Sequence, residues 1–253
     1  MNTLLLFDVD GTIAESGQEI DPTIKKLFNN LIQKDFALGI VGGGKLDKVL
    51  QQLGNTYIHH YFTECGCVYN KNQSTNLGQL KLEQIYVKNI REHELYPQIN
   101  KLIKKTLLFL SSVDYTLTGH FIDLRNGIIY ISLIGLTANN QEREYFLELD
   151  KINNYRKQLL DILHNYAKEL NIFEKISIFE GGTVGIAIYP IEYDKSQVLS
   201  VIDKSNIKEI HYFGDKYLEN GNDRNLLNHP QVIGHCIDSI DDTIKILEQI
   251  LSI

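Results

Sequence analysis

Two aspartates two residues apart close the first apolar run of the chain, in Phe7-Asp8-Val9-Asp10-Gly11-Thr12. The glycine after the pair frees the backbone to turn. Carboxylates at such a strand end can divide the work, Asp8 as nucleophile and Asp10 as proton donor and acceptor. Toward phosphorus an aspartate is a poor nucleophile, because both partners are anionic, and it becomes effective only beside a divalent cation that neutralises the phosphoryl oxygens. Further ligands for such a cation are expected from another strand end, where Phe213-Gly214-Asp215-Lys216 is followed by Gly221-Asn222-Asp223. Lys195, preceded by Asp194 at a helix start, is placed to hold the phosphate or the charge of the nucleophile. An isolated Asp-x-Asp is commonly just a turn with a helix cap. Here the pair comes with the glycine-rich turn Gly42-Gly43-Gly44, a lysine and Gly-Asp…Asn-Asp, in the order and on the elements the chemistry requires.

The elements that must position these residues follow an alternating rhythm. The run Leu4 to Phe7 reads as a strand, Pro22 to Lys34 as a helix with Ile24, Leu27, Phe28 and Leu31 on one face, Phe36 to Val41 as a strand, and Lys45 to Leu53 as a helix. Short apolar strands between amphipathic helices imply a parallel sheet covered on both faces, with ligands at the carboxyl ends of the strands. From about Gln84 to Pro190 the rhythm changes. Two long helices, Leu95 to Leu110 and Asp150 to Leu170, surround the strand-like runs Gly119 to Leu124, Ile128 to Ile134, Ile176 to Phe179 and Val184 to Tyr189. Arg125-Asn126-Gly127 is a tight hairpin turn by its Asn-Gly pair. The alternation resumes with a helix after Asp194, strands Glu209 to Phe213 and Gln231 to His235, and a final helix Asp241 to Leu251. The expected fold is thus α/β, a Rossmann-like core of residues 1–83 and 191–253 interrupted by an antiparallel α+β insert of residues 84–190.

Composition narrows the function. The chain has 253 residues, 43% hydrophobic and 23% charged, with 18 Gly and 4 Pro, which excludes collagen-like and disordered classes. A formal net charge of -7 repels nucleic acid and anionic membranes, and the 14 Tyr have no basic groove to line. Met1 to Phe7 reaches Asp8 and Asp10 too soon for a signal-peptide core, and no apolar run approaches a bilayer span, so a cytoplasmic protein is expected. Cys65, Cys67 and Cys236 cannot all pair and lack partners at metal-ligand spacing, which makes them free thiols. His59-His60 is not a ligand pair, since adjacent residues on an element face apart.

Asp-x-Asp-Gly-Thr at the end of a first strand resembles the haloacid dehalogenase (HAD) phosphotransferases. Phe7 to Thr12, Val41-Gly42-Gly43, Phe121 to Gly127, Glu148-Leu149-Asp150-Lys151, Asp194-Lys195 and Phe213-Gly214-Asp215-Lys216…Gly221-Asn222-Asp223 are similar, over nearly the whole chain, to the eukaryotic-type phosphomannomutases. The resemblance implies an isomerase that interconverts mannose 6-phosphate and mannose 1-phosphate for GDP-mannose biosynthesis, with a catalytic core and a mobile cap. Asp8 would carry the phosphoryl group, Asp10 would act as acid and base on the sugar oxygen, and Lys195 would complete the catalytic set. Mg²⁺ would sit among Asp8, the main-chain carbonyl of Asp10, Asp215 and Asp223. A hexose 1,6-bisphosphate would activate the enzyme, and Arg125, Arg143, Gly43 and Gly44 would contact the phosphosugar. The cap would also join two copies into a homodimer.

Several substrate positions depart from that family. Leu136, in Ile134-Gly135-Leu136, replaces a phosphate-binding arginine, and Gly17 replaces another in the loop after the first motif. Gly185-Ile186-Ala187 replaces a sugar-contacting Ser-x-Asp, Gly44 replaces the serine of a Gly-Gly-Ser turn, and His229 replaces an aspartate that helps bind a second cation. Each charge-assisted hydrogen bond to a phosphate is worth roughly 1.5–3 kcal/mol. Losing two arginines therefore weakens the grip on the non-reacting phosphate while leaving the chemistry at Asp8 intact. Lys45, Arg156 and Lys157 offer replacement charge, but nothing in the sequence brings them to the site. A mutase binds its phosphosugar in two orientations and a phosphatase in one, so the alternative expectations are a sugar-phosphate phosphatase or a non-catalytic phosphosugar-binding protein.

Overall fold

The computed structural model describes residues 2–76, 79–219 and 221–252. In chain order its elements are β1 (Thr3–Phe7), α1 (Pro22–Gln33), β2 (Ala37–Val41), α2 (Leu46–Leu53), β3 (His60–Thr63), β4 (Val68–Asn72), β5 (Leu82–Val87), α3 (Tyr96–Leu110), β6 (Ile122–Leu124), β7 (Ile129–Ser132), α4 (Asn140–Asn153), α5 (Tyr155–Glu169), β8 (Ile176–Gly181), β9 (Gly185–Pro190), α6 (Val198–Val201), β10 (Glu209–Gly214), α7 (Arg224–Leu227), β11 (Ile233–Cys236) and α8 (Ile240–Ser252). They fall into two compact units, Met1–Lys88 with Asp194–Ile253, and Asn89–Tyr193.

The first unit is built on a seven-stranded sheet in the order β11-β10-β1-β2-β3-β4-β5. The strands from β11 to β3 run parallel, and β4 and β5 are added antiparallel. β1 lies at the centre, between β10 and β2, and its five-residue apolar run is inaccessible from Leu4 onward because both sheet faces are covered. One face packs Leu5, Phe7, Leu38, Ile40 and Phe213 against Ile24, Phe28 and Leu31 of α1, Val49 and Leu53 of α2, and Leu247 of α8. The other packs Leu4, Leu6, Phe62 and Tyr212 against Val198, Leu199, Leu226 and Leu227. α1 starts where Asp21 caps Thr23 N (2.7 Å) and Pro22 occupies the first turn, a position that needs no backbone donor.

The division expected at 83/84 runs through β5. That strand pairs with β4 from Val68↔Val87 to Asn72↔Leu82, so the change of unit comes after Lys88. At the other end it comes at Tyr193/Asp194, a few residues beyond the expected 190/191.

The second unit is a four-stranded antiparallel sheet, β6-β7-β9-β8. Ile129, Ile131, Ile186 and Ile188 are buried, and Ile99 and Leu102 of α3, Phe146 of α4 and Leu159 and Leu163 of α5 supply further fully buried side chains. The hairpin at Arg125-Asn126-Gly127 forms as expected, closed by Arg125 N donating to Ile128 O at 3.0 Å. The single helix expected over Asp150 to Leu170 is instead two, α4 and α5, separated by Asn154 in the left-handed region at φ 56°. α4 begins at a capping box, with Asn139 and Glu142 bonded reciprocally.

Candidate active site

β1 ends at Phe7 in the middle of the sheet, so Asp8 leaves the strand at its carboxyl end with its amide still bonded to Phe213 O (2.9 Å). The Asp8 carboxylate is buried and accepts from Lys195 Nζ at 2.5 Å. Lys195 stands in a short helical turn capped by Asp194, whose carboxylate accepts from Ser196 N (2.7 Å). Its side chain is fully buried and also donates to Asp223 Oδ1 at 2.6 Å. Asp223 is held on every side: Oδ1 accepts from the Tyr212 hydroxyl as well, and Oδ2 from Lys216 N at 2.9 Å.

Asp8, Asp215 and Asp223 each present a carboxylate oxygen within 4.8 Å of the other two. Burial drives the Asp8 pKa up to about 7; Lys195 opposes this, while Asp223 and Asp215 reinforce it. Burial pushes Asp223 the same way, but Lys195, Tyr212 and the Lys216 amide overcome it and hold Asp223 ionised. Lys195 remains charged, because the attraction of Asp223 and Asp8 outweighs the cost of burying an ammonium group.

Buried Lys195 and exposed Lys216 stand beside three carboxylates, which leaves the cluster one positive charge short. Asp215 Oδ1 and Asn222 Oδ1 are buried without a hydrogen-bond partner, although Asp215 Oδ2 accepts from Lys216. Unsatisfied hard oxygen donors beside excess negative charge suit a small divalent cation. Close backbone approach makes the cluster possible. A methyl at Gly11 would stand 2.6 Å from Asp215 Oδ2, and one at Gly214 would stand 2.6 Å from Asp223 Cγ.

Asp10 points elsewhere. Oδ1 accepts from Gly17 N (2.9 Å) and Gln52 Nε2 (2.8 Å), and Oδ2 from Lys48 Nζ (2.8 Å). Burial alone would raise its pKa, but these donors hold it below the ordinary carboxylate value. The side chain is therefore not part of the three-carboxylate cluster, and the cation ligand expected from Asp10 is its main-chain carbonyl. Sequence reasoning missed Lys48 and Gln52, which lie one helical turn apart on α2; their i, i+4 spacing on the helix after the glycine-rich turn was the available signal. It also missed Tyr212, which reaches Asp223 through strand register.

The glycine-rich turn follows β2, where Gly42 O accepts from Cys65 N (2.9 Å) and Gly44 O from Glu64 N (3.1 Å). Glu64 and Cys65 are both left-handed, at φ 52° and 57°, a backbone strained for side-chain-bearing residues. Cys65, Cys67 and Cys236 are free thiols, and burial pushes Cys65 and Cys67 up to about 12. Gly17, at φ 74°, is a position where an arginine would be strained. His229 is not among the clustered Asp8, Asp215 and Asp223; it lines a polar cleft of about 560 Å³ with Asp194, Ser196, Arg224, Asn225 and Asn228.

In the second unit, Arg125 Nε donates to Asp123 (2.7 Å) and its guanidinium lies 5.1 Å from the centre of the Tyr130 ring. Arg143 donates to Ala138 O (3.0 Å) and Leu136 O (3.2 Å). Arg156 is clamped between Asp150 (2.6 Å) and Glu180 (2.9 Å), so most of its charge is already matched.

This combination of a parallel sheet, an aspartate after its first strand and an inserted antiparallel unit is the HAD-type fold. Solved structures agree. An IMP-bound IMP-nucleotidase of Plasmodium falciparum superposes with a TM-score of 0.66 at 15% identity, covering 100% of this chain and 68% of that one. A trehalose-6-phosphate phosphatase of Aspergillus fumigatus gives 0.53 at 12% identity, covering 100% and 93%. Likeness at this identity defines the fold alone. Sequence comparison narrows it: residues 24–253 match the eukaryotic phosphomannomutase family. The chain is 33% identical to a phosphomannomutase of Arabidopsis thaliana over 246 residues, covering 95% of this chain and 93% of the relative. It is 32% identical to that of Saccharomyces cerevisiae over 255 residues, covering 99% and 95%. The chain belongs to the eukaryotic phosphomannomutase family and is an enzyme of the HAD type.

Proposed function

We propose that this enzyme is a Mg²⁺-dependent phosphomannomutase that interconverts mannose 6-phosphate and mannose 1-phosphate. The carrying observation is the buried Asp8 carboxylate, fixed by Lys195 at 2.5 Å and gathered with Asp215 and Asp223 within 4.8 Å. A carboxylate oxygen of Asp8 attacks phosphorus in a hexose 1,6-bisphosphate, the bond from phosphorus to the sugar oxygen breaks, and that oxygen takes the proton that Asp10 accepted from a sugar hydroxyl in the preceding turn of the cycle. The sugar phosphate turns round, its other hydroxyl attacks the aspartyl-phosphate, and Asp10 takes the proton. Asp10 is held ionised by Gly17, Lys48 and Gln52, the state needed for this second step. Lys195 fixes the nucleophile, and Asp223 fixes Lys195.

Asp8, Asp215, Asp223 and the Asp10 carbonyl would hold Mg²⁺, which supplies charge neutralisation at the phosphoryl oxygens. Arg125 and Arg143 bind the phosphate that is not reacting, and Gly43 and Gly44 border the ligand at the end of β2. The second unit joins two copies, a reading supported by exposed Leu108 and Ile152 on its helices. Among the described residues no helix is long and apolar enough to cross a membrane.

Leu136, Gly185 and Ala187 favour a second reading, a sugar-phosphate phosphatase. Isomer conversion and phosphate release, measured side by side on mannose phosphates with Mg²⁺ and hexose 1,6-bisphosphate, separate the two. The mutase reading expects conversion without net phosphate release, and it is lost if phosphate alone appears. Asp8→Asn should lower either activity by several orders of magnitude, roughly the scale of removing a covalent nucleophile.

A further inference from the structure

Tyr130 lies in β7 with Asp123 of β6 and Ala187 of β9 as its register partners. Alternation along the strand puts it on the face opposite the buried Ile129 and Ile131. Its ring lies over the β8–β9 turn. A methyl at Gly185 would run into Ile131 O and stand 2.6 Å from the Tyr130 hydroxyl, one at Gly182 would stand 2.9 Å from that hydroxyl, and one at Gly181 would stand 3.6 Å from the ring. The phenol thus occupies the space that a side chain at 182 would need, and shares with the Ile131 carbonyl the space beside 185.

Arginines surround the phenol, two of them paired with the carboxylates of Asp123, Asp150 and Glu180. Arg125 lies against the ring at 5.1 Å, and Arg156 donates to Thr183 O (3.2 Å) in the same turn. Burial pushes the phenol pKa up, while Arg125, Arg143 and Arg156 all pull it down. Among the described residues the hydroxyl makes no hydrogen bond. Guanidinium groups only donate, so none of the arginines can accept the phenolic proton. An anion seated there can accept from the phenol and from guanidinium N–H groups together.

We propose that Tyr130 is a specificity-determining residue, its hydroxyl donating a hydrogen bond to the phosphate of a sugar phosphate held by Arg125 and Arg143. This rests on the phosphosugar reading of the site. The hydroxyl takes up recognition where the strand at 185–187 offers only glycine, isoleucine and alanine.

The test is Tyr130→Phe, which keeps the ring and its contact with Arg125 and removes only the O–H. The dissociation constant for mannose 6-phosphate, read by calorimetry, is expected to rise about tenfold or more, as is KM, with kcat changed by less than about twofold. KM for acetyl phosphate, which has no second group for the 89–193 unit to hold, is expected to stay constant. Thermal melting of both proteins checks that the ring still packs; a variant that melts early is replaced by Tyr130→His, whose unprotonated ring retains one N–H donor and is expected to bind more tightly than Tyr130→Ala. Equal affinity of wild type and Tyr130→Phe overturns the proposal, as does an equal rise for acetyl phosphate, equal affinity of the His and Ala variants, or failure of the wild type to bind sugar phosphate. If the wild type hydrolyses mannose 6-phosphate without isomerising it, the mutase reading fails while the comparison of affinities still decides the role of Tyr130.

Discussion

Lys195→Met removes the one buried cation of the carboxylate cluster while nearly conserving volume. The ammonium group contacts Asp8 at 2.5 Å and Asp223 at 2.6 Å from a side chain with no exposed surface. At an effective dielectric of about 20 the gross attraction of two such contacts is on the order of 10 kcal/mol, and desolvation of the buried groups offsets much of it. Removing one partner of a buried ion pair costs about 3–5 kcal/mol, because the other is left buried and uncompensated. The variant can escape part of this by binding a proton. Asp8 already has a pKa of about 7, and loss of Lys195 raises it further. A carboxylate whose pKa is higher folded than unfolded stabilises the fold at low pH, and that stability is lost as pH rises toward the folded value. The deficit of Lys195→Met is therefore largest above about pH 8 and smaller near pH 5.5, by about 1.4 kcal/mol for each unit of further rise in Asp8. Urea unfolding of wild type and variant with chelator at both pH values reads it directly. Adding Asp223→Asn should recover part of the loss at high pH. A deficit below about 1 kcal/mol at high pH, or one independent of pH, would show that Lys195 does not neutralise this cluster.

Gly11→Ala forces a methyl to 2.6 Å from Asp215 Oδ2 at a φ of 87°, and should raise the Mg²⁺ concentration for half-maximal activity about tenfold or more; an unchanged Mg²⁺ titration contradicts the placement of Asp215. His59 is buried, accepts Leu38 N–H at Nδ1 (3.1 Å) and has its pKa lowered to about 4 by burial, so it stabilises the fold above its ordinary value of 6.5 and loses that contribution as pH falls. Between about pH 7.5 and pH 5 this group alone should cost about 2 kcal/mol in chemical unfolding, a slope that His59→Gln flattens because an amide accepts the same bond without titrating.

Much of the architecture was legible because burial on both faces writes uninterrupted apolar runs into β1 and β2, and one apolar stripe into α1. The missed elements carry no such pattern. β4 reads Val-Tyr-Asn-Lys-Asn, and β5 presents most of its side chains outward at the sheet edge, so neither shows a clean alternation. α4 buries only Phe146 and Asp150, too narrow a stripe to announce a helix, and its break from α5 at Asn154 uses no glycine or proline. The Asn139–Glu142 capping box was the one sequence signal of its start. For the site, Asp8, Asp215 and Asp223 were legible as carboxylates beside turn-forming glycines. Tyr212 was not, because its reach to Asp223 depends on the register Leu6↔Tyr212 and Phe7↔Phe213, which no local pattern encodes.

The glycines connect the two halves of the reading. In sequence, glycine at 185 registers only as a missing side chain, a bare position where a polar group would recognise a sugar. In the structure it is space occupied by other residues, since the Ile131 carbonyl and Tyr130 fill it, as Asp215 fills the space beside Gly11 and Asp223 that beside Gly214. At each position a functional side chain needs the volume that a Cβ would take, so the glycine and the polar group belong together as one device. A substitution that restores a side chain at 185 therefore has to shift the β7 main chain at Ile131 as well as the phenol. Leu136 differs: its carbonyl already accepts from Arg143 at 3.2 Å, so the main chain there helps to position an arginine whatever side chain position 136 carries. On the proposed reading the two departures would act on recognition by separate routes, one through a tyrosine beside the bare strand and one through a guanidinium that the backbone still holds.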